Sequence, residues 1–143
     1  MVSVIAVCTS TKKGVRKNPV PEGTFRENYG LEGDAHADTG THRQVSLLAQ
    51  ESVNKMISMG LDLKPGDFGE NLTTEGIELV TLPVGTKLYI GDEVILEVSQ
   101  IGKECHTACA IRKQVGNCIM PTEGIFGRVL RGGRIRPGDE IKR

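Results

Sequence analysis

Short runs of β-forming residues, most of them next to turn residues, recur along the chain and constrain its fold most strongly. They lie at Val2–Val7, Val45–Leu48, Gly76–Thr81, Lys87–Ile90, Glu93–Gln100 and Glu140–Lys142. The segment "VILEV" is apolar except for Glu97, which is typical of a strand covered on both faces. The runs do not alternate with helical segments, so a parallel Rossmann-type sheet is disfavoured. The pattern predicts a mainly β fold: a closed or nearly closed β-barrel with a few short helices.

Helical spacing is clearest in "LLAQESVNKMISMGL". There Ala49, Val53, Met56 and Ile57 fall on one face, and Gly60 is well placed to end the helix in a left-handed turn. Two shorter helices are predicted at Thr107–Val115 and Gly124–Leu130. Three Gly-Asp steps predict chain reversals: Gly66-Asp67, Gly91-Asp92 and Gly138-Asp139.

Size and composition exclude several classes of function. A chain of 143 residues can bury one core, so we expect a single domain over residues 1–143. Lys+Arg and Asp+Glu both number 18, whereas a general nucleic-acid binder shows a basic excess. The N-terminus lacks the basic segment of a signal peptide, and no stretch approaches the ~18 apolar residues of a membrane span. We therefore expect a cytoplasmic protein that has reduced thiols and binds neither nucleic acid nor membrane.

Three of the four cysteines lie in "GKECHTACAIRKQVGNCIMP", residues 102–121. The fourth, Cys8, sits in the apolar run "VIAVC" and is expected to be a buried apolar residue. Cys105 follows Lys103 and Glu104 and precedes His106, a polar setting in which a nearby cation would stabilise a thiolate, the nucleophilic and metal-binding form. The spacing C-x3-C-x8-C matches no common zinc framework. A non-catalytic zinc or interaction module remains an alternative, built on Cys105, His106, Cys109 and Cys118.

The glycine-rich stretch "GLEGDAHADTGTHRQVSLL", residues 30–48, carries several polar side chains. Four of them are potential metal ligands: Asp34, His36, Asp38 and His42. The alternative is an ordinary solvated loop in which the aspartates cap turns. The stretch contains neither of the glycine motifs that cradle nucleotide phosphates.

Residues 126–138 carry four arginines and no acidic residue: Arg128, Arg131, Arg134 and Arg136. The planar guanidinium group suits phosphate or carboxylate. Because the net charge of the whole chain is zero, a local basic patch favours a small anionic ligand over a polymer. A solvated basic face is the alternative.

Four segments occur in a fixed order that covers the chain from about Gly30 to Ile141. They read "GLEGDAHA" with "HRQVSLL", then "GDFGENLTTEGIEL", then "LPVGTKLYIGDEVILEVSQIGKEC", and finally "GIFGRVLRGGRIRPGDEI". In this order they resemble the MOSC domain, the family named after the C-terminal domain of molybdenum cofactor sulfurases. The resemblance implies a small stand-alone bacterial member with a β-barrel similar to that of pyruvate kinase. Phe68, in the second segment, is expected to fill the core beneath a turn.

The resemblance also implies a role with the molybdenum (or tungsten) pterin cofactor, either binding it or carrying sulfur for it as a cysteine persulfide. In the sulfurases a separate pyridoxal-phosphate domain produces the persulfide, and pyridoxal phosphate is not expected in this chain. Sulfur would come from a cysteine desulfurase or another donor and would pass to a molybdoenzyme or a cofactor-biosynthesis protein. The alternative activity is a molybdenum-dependent reductase of N-hydroxylated compounds, which would need an electron-donor partner.

The family's functional cysteine follows the long strand and corresponds to Cys105, which would bear the persulfide or ligate the metal. Many small relatives have a proline before this cysteine and a Lys-Leu pair after it, whereas this chain reads "ECHTACAI". Cys109 would be a second thiol that assists or resolves. The residues expected to bind the cofactor are His36, His42, Arg43, Arg128 and Arg131.

Overall fold

The computed structural model describes residues 2–13, 15–102 and 123–143. Within them the chain forms eleven strands, one α-helix and one short 3-10 helix at Leu79–Thr81. The strands are β1 (Ser3–Thr9), β2 (Asn18–Val20), β3 (Gly23–Arg26), β4 (Gly30–Leu31), β5 (Val45–Ala49), β6 (Leu72–Glu75), β7 (Lys87–Ile90), β8 (Val94–Ile101), β9 (Ile125–Arg131), β10 (Gly133–Ile135) and β11 (Ile141–Lys142). The helix α1 spans Gln50–Ile57.

Eight strands form one mixed sheet in the order β11-β7-β8-β9-β5-β6-β1-β2. Neighbouring strands are antiparallel except for β5 and β6, which are parallel. The other three strands form a small sheet in the order β10-β3-β4. The prediction of a mainly β fold is confirmed.

The two ends of the large sheet approach each other through β1 and the residues just before β11. Ser3 and Glu140 form an isolated antiparallel bridge, and the amide of Val4 donates to the carbonyl of Asp139 at 2.8 Å. No ladder between named strands joins these ends in the described parts of the chain, so neither sheet is closed into a barrel there. The predicted closed or nearly closed barrel is therefore not confirmed.

The interior divides into two apolar clusters on opposite sides of the large sheet's central strands. The larger one draws on most strands of both sheets, and the smaller one forms beneath α1. In the smaller cluster the helix residues Val53 and Met56 pack with Phe68 and Phe126, so the expected burial of Phe68 is confirmed. The helix is followed by Gly60 at φ 96°, as the sequence predicted. No helix in the described residues is long and apolar enough to cross a membrane.

Two predicted elements are wrong. The run Gly76–Thr81 is not a strand: β6 ends at Glu75, Gly76 turns the chain at φ 91°, and a 3-10 helix follows. The segment Gly124–Leu130, predicted as a helix, instead lies mostly in strand β9. The third predicted helix, Thr107–Val115, lies outside the described residues.

Candidate functional site

A polar cavity of about 530 Å³ opens where the connection between β4 and β5 meets strand β9. Its described lining consists of Asn28, Thr39, Gly40, Thr41, His42 and Arg128. The fold thus brings together two of the predicted ligand-binding residues, His42 and Arg128, which lie far apart in the sequence. The side chain of Arg128 is partly exposed, and its Nη1 atom lies 3.9 Å from a carboxylate oxygen of Glu97, its nearest acidic partner among the described residues. A positive group is therefore available to an anion in this cavity.

The cavity wall on the β4–β5 connection is held by short polar contacts of its own. A carboxylate oxygen of Asp38 accepts the amide of Gly40 at 2.8 Å, and the hydroxyl of Thr41 accepts the amide of Arg43 at 3.1 Å. These are the turn-capping contacts typical of Asp and Thr in loops. They fix the backbone that carries His42.

Gln44 joins this wall to strand β9. Its side chain is fully buried, and its Nε2 group donates to the carbonyls of Asp38 and Thr41 at 3.3 and 3.1 Å. Its Oε1 atom accepts the amide of Val129 at 3.0 Å. Because Val129 follows Arg128, the side chain of Gln44 holds the β4–β5 connection against β9, the strand that carries the arginine. Gln44 lies in the segment "HRQVSLL", but nothing in its local pattern predicts this buried role.

His42 is linked to the end of strand β8. Its Nε2 atom lies 2.9 Å from Oε1 of Gln100, and the Nε2 group of Gln100 donates to the carbonyl of Gly102 at 2.8 Å. Since the Gln100 amide group is already turned toward Gly102, the His42 ring must be the donor in the first contact. In a neutral ring this leaves Nδ1 as a proton acceptor.

The cysteine-rich segment begins at this same edge. Gly102 donates its amide to the carbonyl of Gly124 at 2.7 Å, so the described residues that flank positions 103–122 lie next to each other. Cys105, Cys109 and Cys118 lie outside the described residues, and the roles predicted for the first two remain predictions.

His36 lies in a separate buried cluster. The Nζ atom of Lys17 is 2.8 Å from a carboxylate oxygen of Asp34 and 3.1 Å from Nδ1 of His36. The side chains of Lys17 and Asp34 are 1% and 0% exposed, so Asp34 is not the solvated residue of an ordinary loop. Burial alone would raise the pKa of Asp34, but hydrogen bonds from His36 and Lys17 and the lysine charge outweigh it and hold the pKa well below its usual range.

The described structure does not support a metal site formed by the potential ligands in residues 30–48. Among residues 2–13, 15–102 and 123–143, no three His, Cys, Asp or Glu side chains are grouped so that they could hold a metal ion. Asp34 is committed to Lys17, and His42 to Gln100. The polar groups of this stretch instead organise the loop.

The other two predicted cofactor-binding arginines lie outside the described lining of the cavity. The guanidinium of Arg43 stands over the ring of Phe126, 5.8 Å from its centroid, in a cation–π arrangement. Arg131 is the exposed last residue of β9. The structure thus separates Arg128 from the rest of the predicted basic patch.

Cys8 is buried, as the sequence predicted. Burial and the nearby carboxylate of Glu70 raise the pKa of its thiol to about 12, so it is not a thiolate nucleophile near neutral pH. Glu70 is itself buried, and burial raises its pKa. Its Oε2 atom accepts from the amide of Gly66 and the hydroxyl of Thr73, whereas no described group bonds to Oε1.

Replacing Glu70 with glutamine should make folding stability less dependent on pH. Because the folded pKa of Glu70 is raised, the folded state holds this proton more tightly than the unfolded state. The contribution is complete below the usual pKa of 4.5 and is lost as the pH rises through the raised folded pKa. Urea denaturation from acidic to alkaline pH should show Glu70→Gln gaining stability relative to the original protein. The exposed Glu75→Gln should show no such trend, and a pH-independent difference for Glu70→Gln would contradict the prediction.

Several solved structures share the fold. The YuaD protein from Bacillus subtilis matches with a TM-score of 0.80 at 18% identity, covering 99% of this chain and 94% of that chain. YiiM from Geobacillus stearothermophilus matches with a TM-score of 0.72 at 22% identity, covering 99% and 74%. YiiM from Escherichia coli gives 0.71 at 20% identity, covering 100% and 70%. At these identities the likeness extends to the fold alone.

The comparison with family models supports a more specific assignment than the solved structures do. No curated protein matches the sequence significantly. The family model of the MOSC domain, however, matches residues 33–142, which is most of the chain and contains His42, Arg128 and the cysteine-rich segment. The ordered motifs had predicted the same assignment, and the chain belongs to the MOSC domain family.

Proposed function

We propose that the chain binds the phosphate end of a molybdenum (or tungsten) pterin cofactor in the polar cavity and that Cys105 acts beside it. The MOSC family is generally associated with this cofactor. The observation that carries the proposal is the hydrogen-bond chain from His42 through Gln100 to Gly102, three residues before Cys105. Three residues of chain span at most about 11 Å, so Cys105 can approach a ligand held at this edge.

The described lining of the cavity fits a phosphate group. Arg128 supplies a permanent positive charge and a planar set of donors, which suits bidentate binding of an oxyanion. Thr39, Gly40 and Thr41, on the connection between β4 and β5, add hydroxyl or backbone groups to the lining. The amide of Gly40 is already used by Asp38, so the hydroxyl groups and Arg128 are the main donors.

The described residues do not provide a ligand for the metal. They contain no cluster of metal-binding side chains, and the thiol of Cys8 is buried with a raised pKa. Soft thiolate suits molybdenum–sulfur chemistry better than carboxylate does. The proposal therefore assigns metal ligation or sulfur transfer to Cys105, with Cys109 as a second thiol. When bound, the cofactor would supply the metal centre and its sulfur ligands.

In the sulfur-carrier form of the proposal, the thiolate of Cys105 attacks the outer sulfur of a persulfide held by a donor such as a cysteine desulfurase. A sulfur–sulfur bond forms on Cys105 while the donor's sulfur–sulfur bond breaks, and the donor cysteine leaves as a thiolate. There is no net oxidation or reduction in this exchange. A neutral His42, whose Nδ1 atom has no hydrogen-bond partner among the described residues, could take the proton if Cys105 begins as a thiol.

The proposal is tested by measuring cofactor binding and sulfur loading on the same set of variants. Arg128→Ala should weaken binding of purified molybdopterin by about tenfold, because it removes a charge-assisted contact. Arg134→Ala, an exposed arginine outside the described lining of the cavity, is the control and should bind normally. After incubation with a cysteine desulfurase and free cysteine, intact mass spectrometry should show one added sulfur on the original protein but not on Cys105→Ser.

Other outcomes would replace the proposal. Both parts of the proposal are wrong if neither the original protein nor any variant binds molybdopterin and if Cys105→Ser gains sulfur like the original protein. Tightly bound zinc that is lost in Cys109→Ser would instead support the zinc module. Purified protein that carries molybdenum and reduces N-hydroxylated bases with an electron donor would support the reductase alternative.

A further inference from the structure

The buried amide of Gln44 fixes the orientation of a second amide at the cavity. The Oε1 atom of Gln44 accepts the amide of Val129 at 3.0 Å, so Nε2 is the donor end of this side chain. That donor end lies 3.1 Å from the side-chain amide of Asn28, which must therefore present its Oδ1 atom. The Nδ2 group of Asn28 is thus turned away from Gln44.

Asn28 is placed where its free donor can serve a ligand. It lines the same cavity as Arg128 and His42. No hydrogen bond among residues 2–13, 15–102 and 123–143 uses its Nδ2 group, which can donate twice. The arrangement leaves an oriented donor on a residue that lines the cavity together with Arg128.

The backbone of Asn28 is unusual as well. Its φ is 50°, and it is the one non-glycine residue with positive φ among those described. Its amide donates to the carbonyl of Val129 at 2.8 Å, which holds it against β9. Asn28 lies in the turn between β3 and β4, and asparagine tolerates this conformation in turns better than most residues.

We propose that Nδ2 of Asn28 donates a hydrogen bond to an oxyanion bound beside Arg128, and that Gln44 is the positioning residue that orients this donor. The inference rests on the proposed function, because it takes the oxyanion to be the cofactor's phosphate. Inorganic phosphate offers the same acceptor chemistry and serves as the probe. Asn28 lies outside the segments that identified the family, and Gln44, although it lies within "HRQVSLL", carries no charge that would have singled it out.

The test is a titration of the ¹⁵N-labelled protein with inorganic phosphate, followed by NMR. The side-chain amide signals of Asn28, identified by their loss in Asn28→Gly, should shift in a saturable way. Asn28→Gly should bind phosphate about tenfold more weakly, since it loses a hydrogen bond to a charged group. Glycine adopts positive φ readily, so the stability of this variant should not fall by more than the contact with Gln44 contributes. Asn28→Asp keeps an acceptor for Gln44 but turns an oxygen toward the anion, and it should bind more weakly still.

The positioning role of Gln44 is tested by a double-mutant cycle. If Gln44 acts through Asn28, Gln44→Met should weaken phosphate binding in the original protein but add little further loss in the Asn28→Gly background. A purely structural role would weaken binding equally in both backgrounds. Should Gln44→Met fail to fold, the two Asn28 variants still decide the inference.

The outcomes separate this inference from the proposed function. Absence of saturable phosphate binding in the original protein would overturn this inference, whereas the molybdopterin-binding measurement decides the proposed function separately. Binding that Arg128→Ala weakens but that Asn28→Gly and Asn28→Asp leave unchanged would overturn the role of Asn28 and keep the anion site.

Discussion

Replacing Lys17 with methionine should lower the free energy of unfolding by about 3–5 kcal/mol, the usual range when one partner of a buried ion pair is removed. The Nζ atom of Lys17 lies 2.8 Å from the carboxylate of Asp34, and both side chains are almost fully buried. Methionine fills a similar volume but leaves the Asp34 charge without its counterion. The remaining contacts to Asp34 come from the hydroxyl of Thr9, the amides of Ser10 and His36, and the His36 ring, whose Nδ1 atom lies 3.6 Å from the carboxylate. None of them carries the permanent charge of the lysine.

Urea denaturation at neutral pH measures this loss, and the chain offers a matched control. Lys55 and Glu123 form an ion pair of the same length, 2.8 Å, but the side chain of Lys55 is 69% exposed. Because solvent screens exposed pairs, Lys55→Met should change stability far less than Lys17→Met. Equal losses in the two variants would show that burial does not govern these pairs.

The same pair predicts the behaviour of the protein in acid. The folded pKa of Asp34 is lowered, so its contribution to stability is complete above the usual pKa of 3.8 and is lost as the pH falls toward the lowered value. In Lys17→Met the pKa of Asp34 should rise, because burial then acts with less opposition. Acid denaturation of the variant should begin at a higher pH than that of the original protein.

Local sequence patterns predicted two kinds of element correctly. The first kind has one buried and one exposed face, and the second ends at clear turn residues. Strand β7 was predicted with its observed bounds, Lys87–Ile90, and its residues alternate between exposed and buried. The main helix was predicted from the apolar spacing of Val53 and Met56, and both are buried. In these cases the sequence period reports directly which face meets the core.

The pattern fails where both faces of a strand are covered. In β9, Ile125 and Val129 face the larger cluster, whereas Phe126 packs in the smaller cluster beneath α1. The apolar residues therefore no longer alternate, and their spacing imitates a helix. In β6 the apolar pattern is missing rather than misleading. Thr73 and Thr74 are fully buried, so this core strand has too few apolar residues to be recognised from its sequence.

The candidate site was only partly predictable for a related reason. The ordered motifs identified the family and included His42 and Arg128 among the ligand-binding residues, and the cavity joins these two. The polar residues that position them, Gln44 and Gln100, make contacts that no short-range spacing encodes. A polar side chain shows its role through partners that are distant in the sequence, so these roles required the fold.

Replacing Gly66 with alanine should lower the free energy of unfolding by about 3 kcal/mol or more. Gly66 has φ 90°, a conformation that costs an alanine roughly 1–2 kcal/mol. A Cβ atom at this position would also lie 2.2 Å from the carbonyl oxygen of Lys17, which is backbone and cannot rotate away. That carbonyl belongs to the residue whose ammonium group pairs with Asp34, so displacing it also disturbs the buried ion pair.

Gly85→Ala separates the two contributions to this loss. Gly85 has φ 97°, close to that of Gly66, but nothing lies within 4 Å of the position its Cβ would take. Its substitution should therefore show only the backbone cost of the positive φ, roughly 1–2 kcal/mol. The excess loss in Gly66→Ala, read from urea denaturation of the two variants side by side, measures how rigidly the turn is held against Lys17. Equal losses would mean that the Lys17 backbone yields to the new methyl group, and that the turn does not constrain the buried pair.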